Sequence, residues 1–259
     1  MDEIVERTQW DFFWVPEDVA VVDRPEIAYL HSPRHGLLYN AVTRTRATPE
    51  RVGELVQEVT GVHAGVRSRW LVPDTIPSEE LERALDDAGY TPVQRHHTCT
   101  IAVDAYRPKP AQDIVVHPVD STQRLRDSWS VMAQAFGRPN DRSEADLVQE
   151  LEECSKPGAR VQRFVAYDEP SGEPISAGGV NVYPTLRFGF LWAGGTIPEA
   201  RGRGAYSALL KARTIRAREL GATHVGLYAV VDTSAPIVMR QGFEKHGSMT
   251  YWDRHPSGA

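Results

Sequence analysis

The run GGTIPEARGRGAY, residues 194–206, joins a strand-like segment to the best helical pattern of the chain. A strand-to-helix turn of this kind exposes successive backbone N–H groups at a helix N-terminus, where the helix dipole adds positive potential. Gly202 and Gly204 allow the backbone to approach a diphosphate closely. Arg201 and Arg203 can supply charge-assisted hydrogen bonds. The segment therefore predicts an anion-binding turn.

Apolar periodicity around this turn predicts a mixed order of strands and helices. The predicted strands are 114–119, 161–167, 175–183, 186–197, 223–230 and 243–251, and the predicted helices are 122–136, 144–154, 202–220 and 235–240. On the long helix, Ala205, Ala208, Leu209, Ala212, Ile215 and Leu220 are expected to line the buried side. Its basic residues, Lys211, Arg213, Arg216 and Arg218, are expected to form a solvated face.

Two well-known phosphate motifs are absent around the turn. The sequence lacks GxxxxGK[ST] and GxGxxG, which disfavours a P-loop and a dinucleotide-binding fold. The run TIPEARGRGAYSALL instead resembles the cofactor motif of the GNAT superfamily of N-acetyltransferases, in which Arg or Gln is followed by two residues, Gly, one residue, and Gly or Ala. Arg201 and Gly204 match that pattern, whereas Tyr206 places a bulkier group at its last position. The order of elements from about 113 to 252 also resembles the family.

This resemblance implies an acetyl-CoA site. The backbone of Gly194, Gly195 and Thr196 would pair with the pantetheine arm, because the family splays this strand away from its neighbour. The turn that follows would cradle the pyrophosphate. The residues implied there are Arg201, Gly202, Arg203, Gly204, Ala205, Tyr206 and Ser207.

The proton-transfer groups differ from those of the family. The family often has an Asn near the end of the next strand and a Tyr four residues before a Gly-Phe pair, where this chain has Val231 and Val238. Without that tyrosine, the leaving thiolate would be protonated by water or by Ser234. The candidate bases are Tyr228, then Asp232 and Glu199 acting through water. Amine attack on a thioester requires no covalent nucleophile.

The N-terminal half contains a coarser version of the same pattern. The predicted elements are a strand at 37–43, a helix at 49–59, a strand at 67–72, a helix at 79–88 and a returning strand pair at 90–103. LERALDDAGYTPV at 81–93 parallels APIVMRQGFEKHG at 235–247, since each runs from a short helix through Gly and an aromatic residue into a strand. Residues 44–49, RTRATP, stand where a phosphate loop would be and lack its glycines.

These patterns predict an α/β (α+β) protein with two GNAT-like lobes, each a mixed, mostly antiparallel sheet flanked by helices. The predicted domains are a degenerate GNAT-like domain at 1–105, a proline-containing linker at 106–112, and a GNAT acetyltransferase domain at 113–259. The missing glycines in the first lobe predict that it holds no second cofactor.

Composition and charge narrow the classes of partner. The 259 residues carry a net charge of −6, which disfavours nucleic acid as a partner. The first residues carry acid from Asp2 onward and lack a long apolar run, so no signal peptide or membrane span is expected and we expect a cytoplasmic protein. Cys99 and Cys154 are expected to be buried thiols. No metal is expected, because His96 and His97 point to opposite faces of a strand.

An aromatic cluster near the N-terminus has two interpretations. Trp10, Phe12, Phe13 and Trp14 could belong to a strand that enters the core or could line a substrate pocket. We favour the core.

Three functions remain compatible with the sequence. The first is an acetyl-CoA-dependent N-acetyltransferase that acts on a primary amine of a small molecule, by direct attack in a ternary complex. The second is an acyl-CoA-binding regulatory protein without turnover, and the third is a protein or peptide N-acetyltransferase. Release of thiol from acetyl-CoA with a panel of amines distinguishes the first two.

Overall fold

A computed structural model describes residues 1–33, 36–108, 111–137 and 143–256. Contacts divide these residues into two compact units. Unit 1 comprises Met1–Cys99, Tyr228–Arg240 and residues 244–256, and unit 2 comprises Thr100–Leu227 and Gln241–Phe243. The two units are defined by contacts between residues and combine separate stretches of the chain, whereas each predicted domain is one continuous stretch. The predicted domain boundaries at 105 and 113 therefore stay a prediction.

Helices and strands alternate irregularly along the chain. In order they are α1 (Asp2–Arg7), β1 (Ala20–Arg24), β2 (Ile27–His31), β3 (Ala41–Thr45), α2 (Pro49–Val62), β4 (Ser68–Pro73), α3 (Glu79–Asp87), β5 (Thr91–Ala102), β6 (Ile114–Pro118), α4 (Thr122–Phe136), α5 (Glu144–Ser155), β7 (Val161–Asp168), β8 (Pro174–Tyr183), β9 (Phe188–Thr196), α6 (Ala205–Glu219), β10 (His224–Val230), α7 (Ser234–Met239) and β11 (Glu244–Arg254).

Unit 1 contains strands in the order β1-β2-β3-β4-β11-β5, with β5 belonging to it as far as Cys99. The pairs β1/β2, β2/β3 and β4/β11 are antiparallel and β3/β4 is parallel. Helix α2 buries one face at helical spacing against this sheet, through Val52, Leu55, Val56 and Val59. The C-terminal strand β11 therefore lies between β4 and β5, two strands that come from the first 102 residues of the chain.

Unit 2 contains strands in the order β10-β9-β8-β7-β6. All of its pairs are antiparallel except β9/β10. A Cβ atom on Gly194 would meet Arg213 of α6, whereas one on Gly195 would meet Ala135 of α4. Because successive strand residues point to opposite faces, α4 and α6 cover opposite faces of β9. This α+β architecture, with a mostly antiparallel sheet between helices, confirms the predicted fold class.

The element order predicted for residues 113–252 is confirmed, and the errors lie mostly in the N-terminal half. Leu37–Tyr39 form a 3-10 turn before β3, and the strand pair expected at 90–103 is the single strand β5. The hairpin of β1 and β2 was not predicted. The aromatic cluster is no strand either, because Phe12–Trp14 form a 3-10 turn.

The predicted buried side of the long helix is also wrong in part. Helix α6 begins at Ala205, after a turn, and its buried side includes Arg213 and Thr214. Ile215, expected inside, is 37% exposed. The sequence pattern assigns an arginine to the solvent-exposed side of a helix. The predicted buried face of α6 is therefore displaced by about one residue from the observed one.

Candidate functional site

The turn between β9 and α6 has the conformation that an anion site requires. Gly202 and Gly204 both adopt left-handed backbone angles, with φ of +80° and +92°. Gly204 is also the N-cap of α6 and has no side chain with which to cap it. The first N–H groups of a helix have no intrahelical acceptor, so the amides of Ala205, Tyr206 and Ser207 can serve a ligand.

Space above the two glycines is compatible with a diphosphate. A Cβ atom on Gly202 would meet nothing within 4 Å, and one on Gly204 would lie 3.4 Å from Cβ of Ala111. The donors are backbone N–H groups of a helix N-terminus, which favour negative charge. The residues present therefore fit the diphosphate of acetyl-CoA.

The two arginines of the turn differ in their surroundings. Arg203 forms an ion pair with Asp168. The Ser171 hydroxyl, and then Arg203, hold the pKa of Asp168 below its usual value. Arg201 is exposed, and its Nε donates to the Thr196 carbonyl oxygen at 3.4 Å. Arg201 is therefore the less engaged cation, whereas the Arg203 charge is already partly compensated.

Strand β9 presents one edge of unpaired backbone next to this turn. On one side β9 pairs with β8 as far as Thr196, opposite Ser176. On the other, its parallel pairs with β10 run only from Phe188 to Phe190. Within the described residues of unit 2, the edge from Leu191 to Thr196 thus faces no strand. The pantetheine arm was predicted to pair with this edge at Gly194, Gly195 and Thr196, and that role remains a prediction.

Gly194 and Gly195 of β9 are required by packing on both faces of the strand. The register of β8 and β9 shifts between Ala177 and Gly179, and Ala193 opposite adopts a left-handed φ of +47°. Such a bulge turns the following backbone. A Cβ atom on Gly194 would approach Nη2 of Arg213 to 2.9 Å, and one on Gly195 would approach Cβ of Ala135 to 2.8 Å.

Tyr206, the departure from the family pattern, packs over one of these glycines. Its Cε2 would lie 2.9 Å from a Cβ atom on Gly194, and Cζ of Arg213 lies 5.9 Å from the centre of its ring. The absent side chain at Gly194 thus makes room for the phenol ring. The bulk of Tyr206 is accommodated by a compensating glycine.

Ser207, in the first turn of α6, is oriented by a hydrogen-bond chain that the sequence did not reveal. Tyr106 donates from its hydroxyl to Oε1 of Gln241 at 2.8 Å, and Nε2 of Gln241 donates to Oγ of Ser207 at 3.0 Å. Because Ser207 accepts here, its own proton can point to a ligand. Tyr106 was placed in the linker, yet it is only 6% exposed and burial raises its pKa to about 12.

Three of the predicted proton-transfer residues, Tyr228, Asp232 and Ser234, fall in unit 1, and the fourth, Glu199, is an exposed residue of unit 2. Tyr228 packs against the buried cluster of Ala41, Leu71 and Met249. Oγ of Ser234 accepts from the Val230 N–H at 2.8 Å, and Asp232 is exposed. Val238, at the position of the family's tyrosine, is fully buried. The roles of Tyr228, Asp232 and Ser234 remain predictions.

The cysteines and histidines offer little additional chemistry. Cys99 is buried, which raises its pKa to about 11, and Cys154 is partly buried. Desolvation lowers the pKa of the buried His96 to about 4. In the described ranges, no group of three or more His, Cys, Asp or Glu residues could hold a metal ion. No described helix is long and apolar enough to cross a membrane.

Comparisons with known proteins identify the fold. No family model and no curated protein matches the sequence. Among solved structures, a GCN5-related N-acetyltransferase from Kribbella flavida is similar, with a TM-score of 0.72 and 15% identity over 99% of this chain and 96% of that chain. A second, from Sphaerobacter thermophilus, has a TM-score of 0.64 and 19% identity over 91% and 75% of the two chains.

A third similar structure is a tandem GNAT protein from the clavulanic acid biosynthesis pathway, with a TM-score of 0.60 and 13% identity over 98% of this chain and 88% of that chain. At these identities the likeness shows the fold. The chain has the fold of the GCN5-related N-acetyltransferases, as its sequence resemblance implied.

Proposed function

We propose that this protein is an acetyl-CoA-dependent N-acetyltransferase that acts on a primary amine of a small molecule. One observation carries the proposal. The helix α6 begins, without a side-chain cap, directly after Gly202 and Gly204 in left-handed conformations. An arginine-bearing turn of this kind, next to an open strand edge, suits a ligand with a diphosphate and an extended amide arm.

Each part of the site would bind a different part of the ligand. The amides of Ala205, Tyr206 and Ser207, with Arg201 beside them, would hold the diphosphate. The backbone of Gly194 to Thr196 would form hydrogen bonds with the amide groups of the arm, as an added strand would. Acetyl-CoA, when bound, would supply the acetyl group, which passes from sulfur to the amine nitrogen as the CoA thiolate leaves.

Positioning is the main contribution that these residues can make. Holding two reactants in a reactive orientation can contribute about 7 kcal/mol or more to lowering the barrier. Backbone N–H groups near Gly195 and Thr196 are the candidate donors to a developing oxyanion. Neither residue needs an unusual side chain for that purpose, because strand backbone provides the donors.

Proton transfer would rely on weak or solvent-assisted groups. The acceptor amine must lose a proton before it attacks, and the thiolate that leaves must gain one. Val238 cannot donate a proton, so we assign these transfers to water with assistance from Tyr228 or Asp232 as base and Ser234 as donor. The Cys99 thiol, buried and with a raised pKa, is poorly suited to act as a covalent nucleophile.

The proposal is tested by binding and turnover with one preparation of the full chain. Calorimetric titration with acetyl-CoA measures affinity and stoichiometry, and a thiol reagent measures CoA release with a panel of small amines and lysine peptides. We expect binding and release with small amines. Binding without release for any acceptor would favour an acyl-CoA-binding regulatory protein, and release with peptides alone a protein acetyltransferase. Absence of binding would contradict the proposal.

A further inference from the structure

Arg213 lies in the middle of α6, yet it is only 1% exposed. The neighbouring basic residues Lys211 and Arg218 are exposed, as expected for a solvated face. Removing a guanidinium from water is costly unless hydrogen bonds or an opposite charge compensate it. The burial of this one arginine therefore calls for partners that the sequence does not show.

Those partners are backbone carbonyl groups on two strands. Nη1 of Arg213 donates to the carbonyl oxygens of Gly179 at 3.3 Å and Trp192 at 3.4 Å. Nε donates to the Leu209 carbonyl at 3.4 Å, and the guanidinium also forms a hydrogen bond with the Tyr206 phenol. Burial lowers the pKa of Arg213, and the phenols of Tyr206 and Tyr106 oppose that shift.

The two strand carbonyls flank the bulge of β9. Gly179 and Trp192 are paired at the point where the register of β8 and β9 shifts, immediately before Ala193 with its left-handed φ. The guanidinium thus links both strands at the irregularity. Gly178 and Gly194 leave room for it, since Cβ atoms there would lie 3.1 Å from Nη1 and 2.9 Å from Nη2.

We propose that Arg213 is a positioning residue that fixes the bulge of β9 and thereby the backbone of Gly194 to Thr196. The inference rests on the proposed function, in which this backbone binds the arm of acetyl-CoA. Its specific consequence is that binding of the nucleotide and binding of the arm depend on different residues. The turn at residues 201–207 would bind the nucleotide without Arg213, whereas the arm would be bound only when Arg213 holds the strand.

Two ligands separate these contributions. Acetyl-CoA carries the nucleotide and the arm, and 3′-phospho-ADP carries the nucleotide alone. We expect Arg213→Met to weaken acetyl-CoA binding by about tenfold or more, because the bulge loses hydrogen bonds from a charged group. Binding of 3′-phospho-ADP should change by no more than about twofold, the effect also expected for both ligands in the exposed control Arg218→Met. Equal weakening of both ligands by Arg213→Met would overturn the proposal, because it would show that the charge of Arg213, and not its effect on the strand, contributes to binding.

A second variant keeps Arg213 but disturbs the strand backbone next to its guanidinium. Gly178 is not one of the predicted cofactor contacts. In Gly178→Ala the new Cβ atom would lie too close to Nη1 of Arg213 and to Cα of Gly194. We expect the same selective loss of acetyl-CoA affinity. Normal acetyl-CoA affinity in both folded variants would overturn the proposal.

Amide hydrogen exchange tests the role of Arg213 without any ligand. In the ligand-free chain, both variants should speed exchange in Leu191–Thr196 more than in β7, because local opening follows lost local contacts. Uniform or unchanged exchange would overturn the positioning role, even if the protein proved not to bind acetyl-CoA. Failure of the wild-type chain to bind either ligand would instead contradict the proposed function, and the exchange result would still decide this inference.

Discussion

Two of the strand-to-helix connections among the described residues can be compared, because they differ in the backbone N–H groups that each leaves for an anion. In unit 2, residues 197–204 lead from β9 to α6 through two left-handed glycines and end without a side-chain cap. In unit 1, residues 46–48 lead from β3 directly to α2, whose first residue is Pro49. Proline has no N–H group to offer a ligand.

The polar groups of the shorter connection are used internally. The Arg46 N–H donates to the Glu26 carbonyl at 2.8 Å, and its guanidinium pairs with Glu6 at 3.1 Å. The pKa of Glu50 is lowered by its own backbone N–H and then by the Thr48 hydroxyl, so a carboxylate already occupies the N-terminus of α2. A helix N-terminus binds an exogenous anion only where its own chain leaves the donors available.

The strongest test of this difference places a carboxylate in the longer connection. We predict that Gly204→Glu abolishes acetyl-CoA binding, weakening it by at least about a hundredfold, because the new charge would occupy the end of α6 that favours anions. Calorimetric titration measures the effect.

Two controls isolate the charge from the backbone strain. Gly204→Ala imposes a side chain at the same left-handed φ without charge, and Gly221→Glu adds the charge at a left-handed glycine beyond the other end of α6, with φ of +89°. Both should bind more tightly than Gly204→Glu. Unchanged affinity in a folded Gly204→Glu protein would eliminate this site.

Helix α2, which follows the shorter connection, should make the stability of the protein depend on pH rather than on a ligand. His63, the C-cap of α2, is fully buried, and desolvation lowers its pKa to about 4. Below pH 6.5, His63 takes up a proton in the unfolded chain but stays neutral in the folded chain. The free energy of unfolding therefore falls as the pH drops from about 6.5 to 4, by roughly 3 kcal/mol for this residue. Urea unfolding at pH 7, 5.5 and 4.5 measures the loss.

The matched variant is His63→Gln, which keeps a donor for the Leu30 carbonyl that Nε2 contacts at 2.8 Å. It should unfold with a weaker dependence on pH over the same range. His96, with a similarly lowered pKa, would retain its own share of the acid sensitivity. An unaltered pH dependence in His63→Gln would show that His63 is protonated, or already solvated, in the folded state.

Proton transfer is expected to be shared among several groups and water, in contrast to the localised cofactor binding that we propose. Dedicated acid or base groups contribute about 100 to 10,000-fold. We predict that Tyr228→Phe and Asp232→Asn each reduce turnover by about a hundredfold or less, with acetyl-CoA affinity unchanged. The pH dependence of turnover with a confirmed amine measures this. Loss of nearly all turnover in either variant, with normal binding, would identify a dedicated catalyst.

The smallest expected effect on acetyl-CoA affinity comes from replacing one arginine in each connection. Arg201→Gln should weaken acetyl-CoA binding by about tenfold, the lower range for a hydrogen bond from a charged group at an exposed position. Arg46→Gln should leave affinity unchanged, although it removes a partner of the buried Glu6 carboxylate and should lower stability. Equal effects of the two substitutions on affinity would contradict the comparison.

The sequence alone determined the features that depend on neighbours along the chain. The order of elements from β6 to β11, the glycine turn before α6 and the valine in place of a tyrosine at Val238 all follow from local pattern, because periodicity and turn residues act over a few positions. The resemblance to the GNAT motif arose from the same short range. The helix–Gly–aromatic repeat is likewise local, and both Gly89 and Gly242 have positive φ, as such helix ends require.

Only the tertiary structure decided the features that depend on residues far apart in the chain. The pairing of β11 with β4, the chain from Tyr106 through Gln241 to Ser207, and the burial of Arg213 each join segments that no local pattern relates. An arginine reads as exposed in sequence because its charge prefers water. Here two strand carbonyls and the missing side chains of Gly178 and Gly194 create a place for it, and those groups meet only after the sheet has formed.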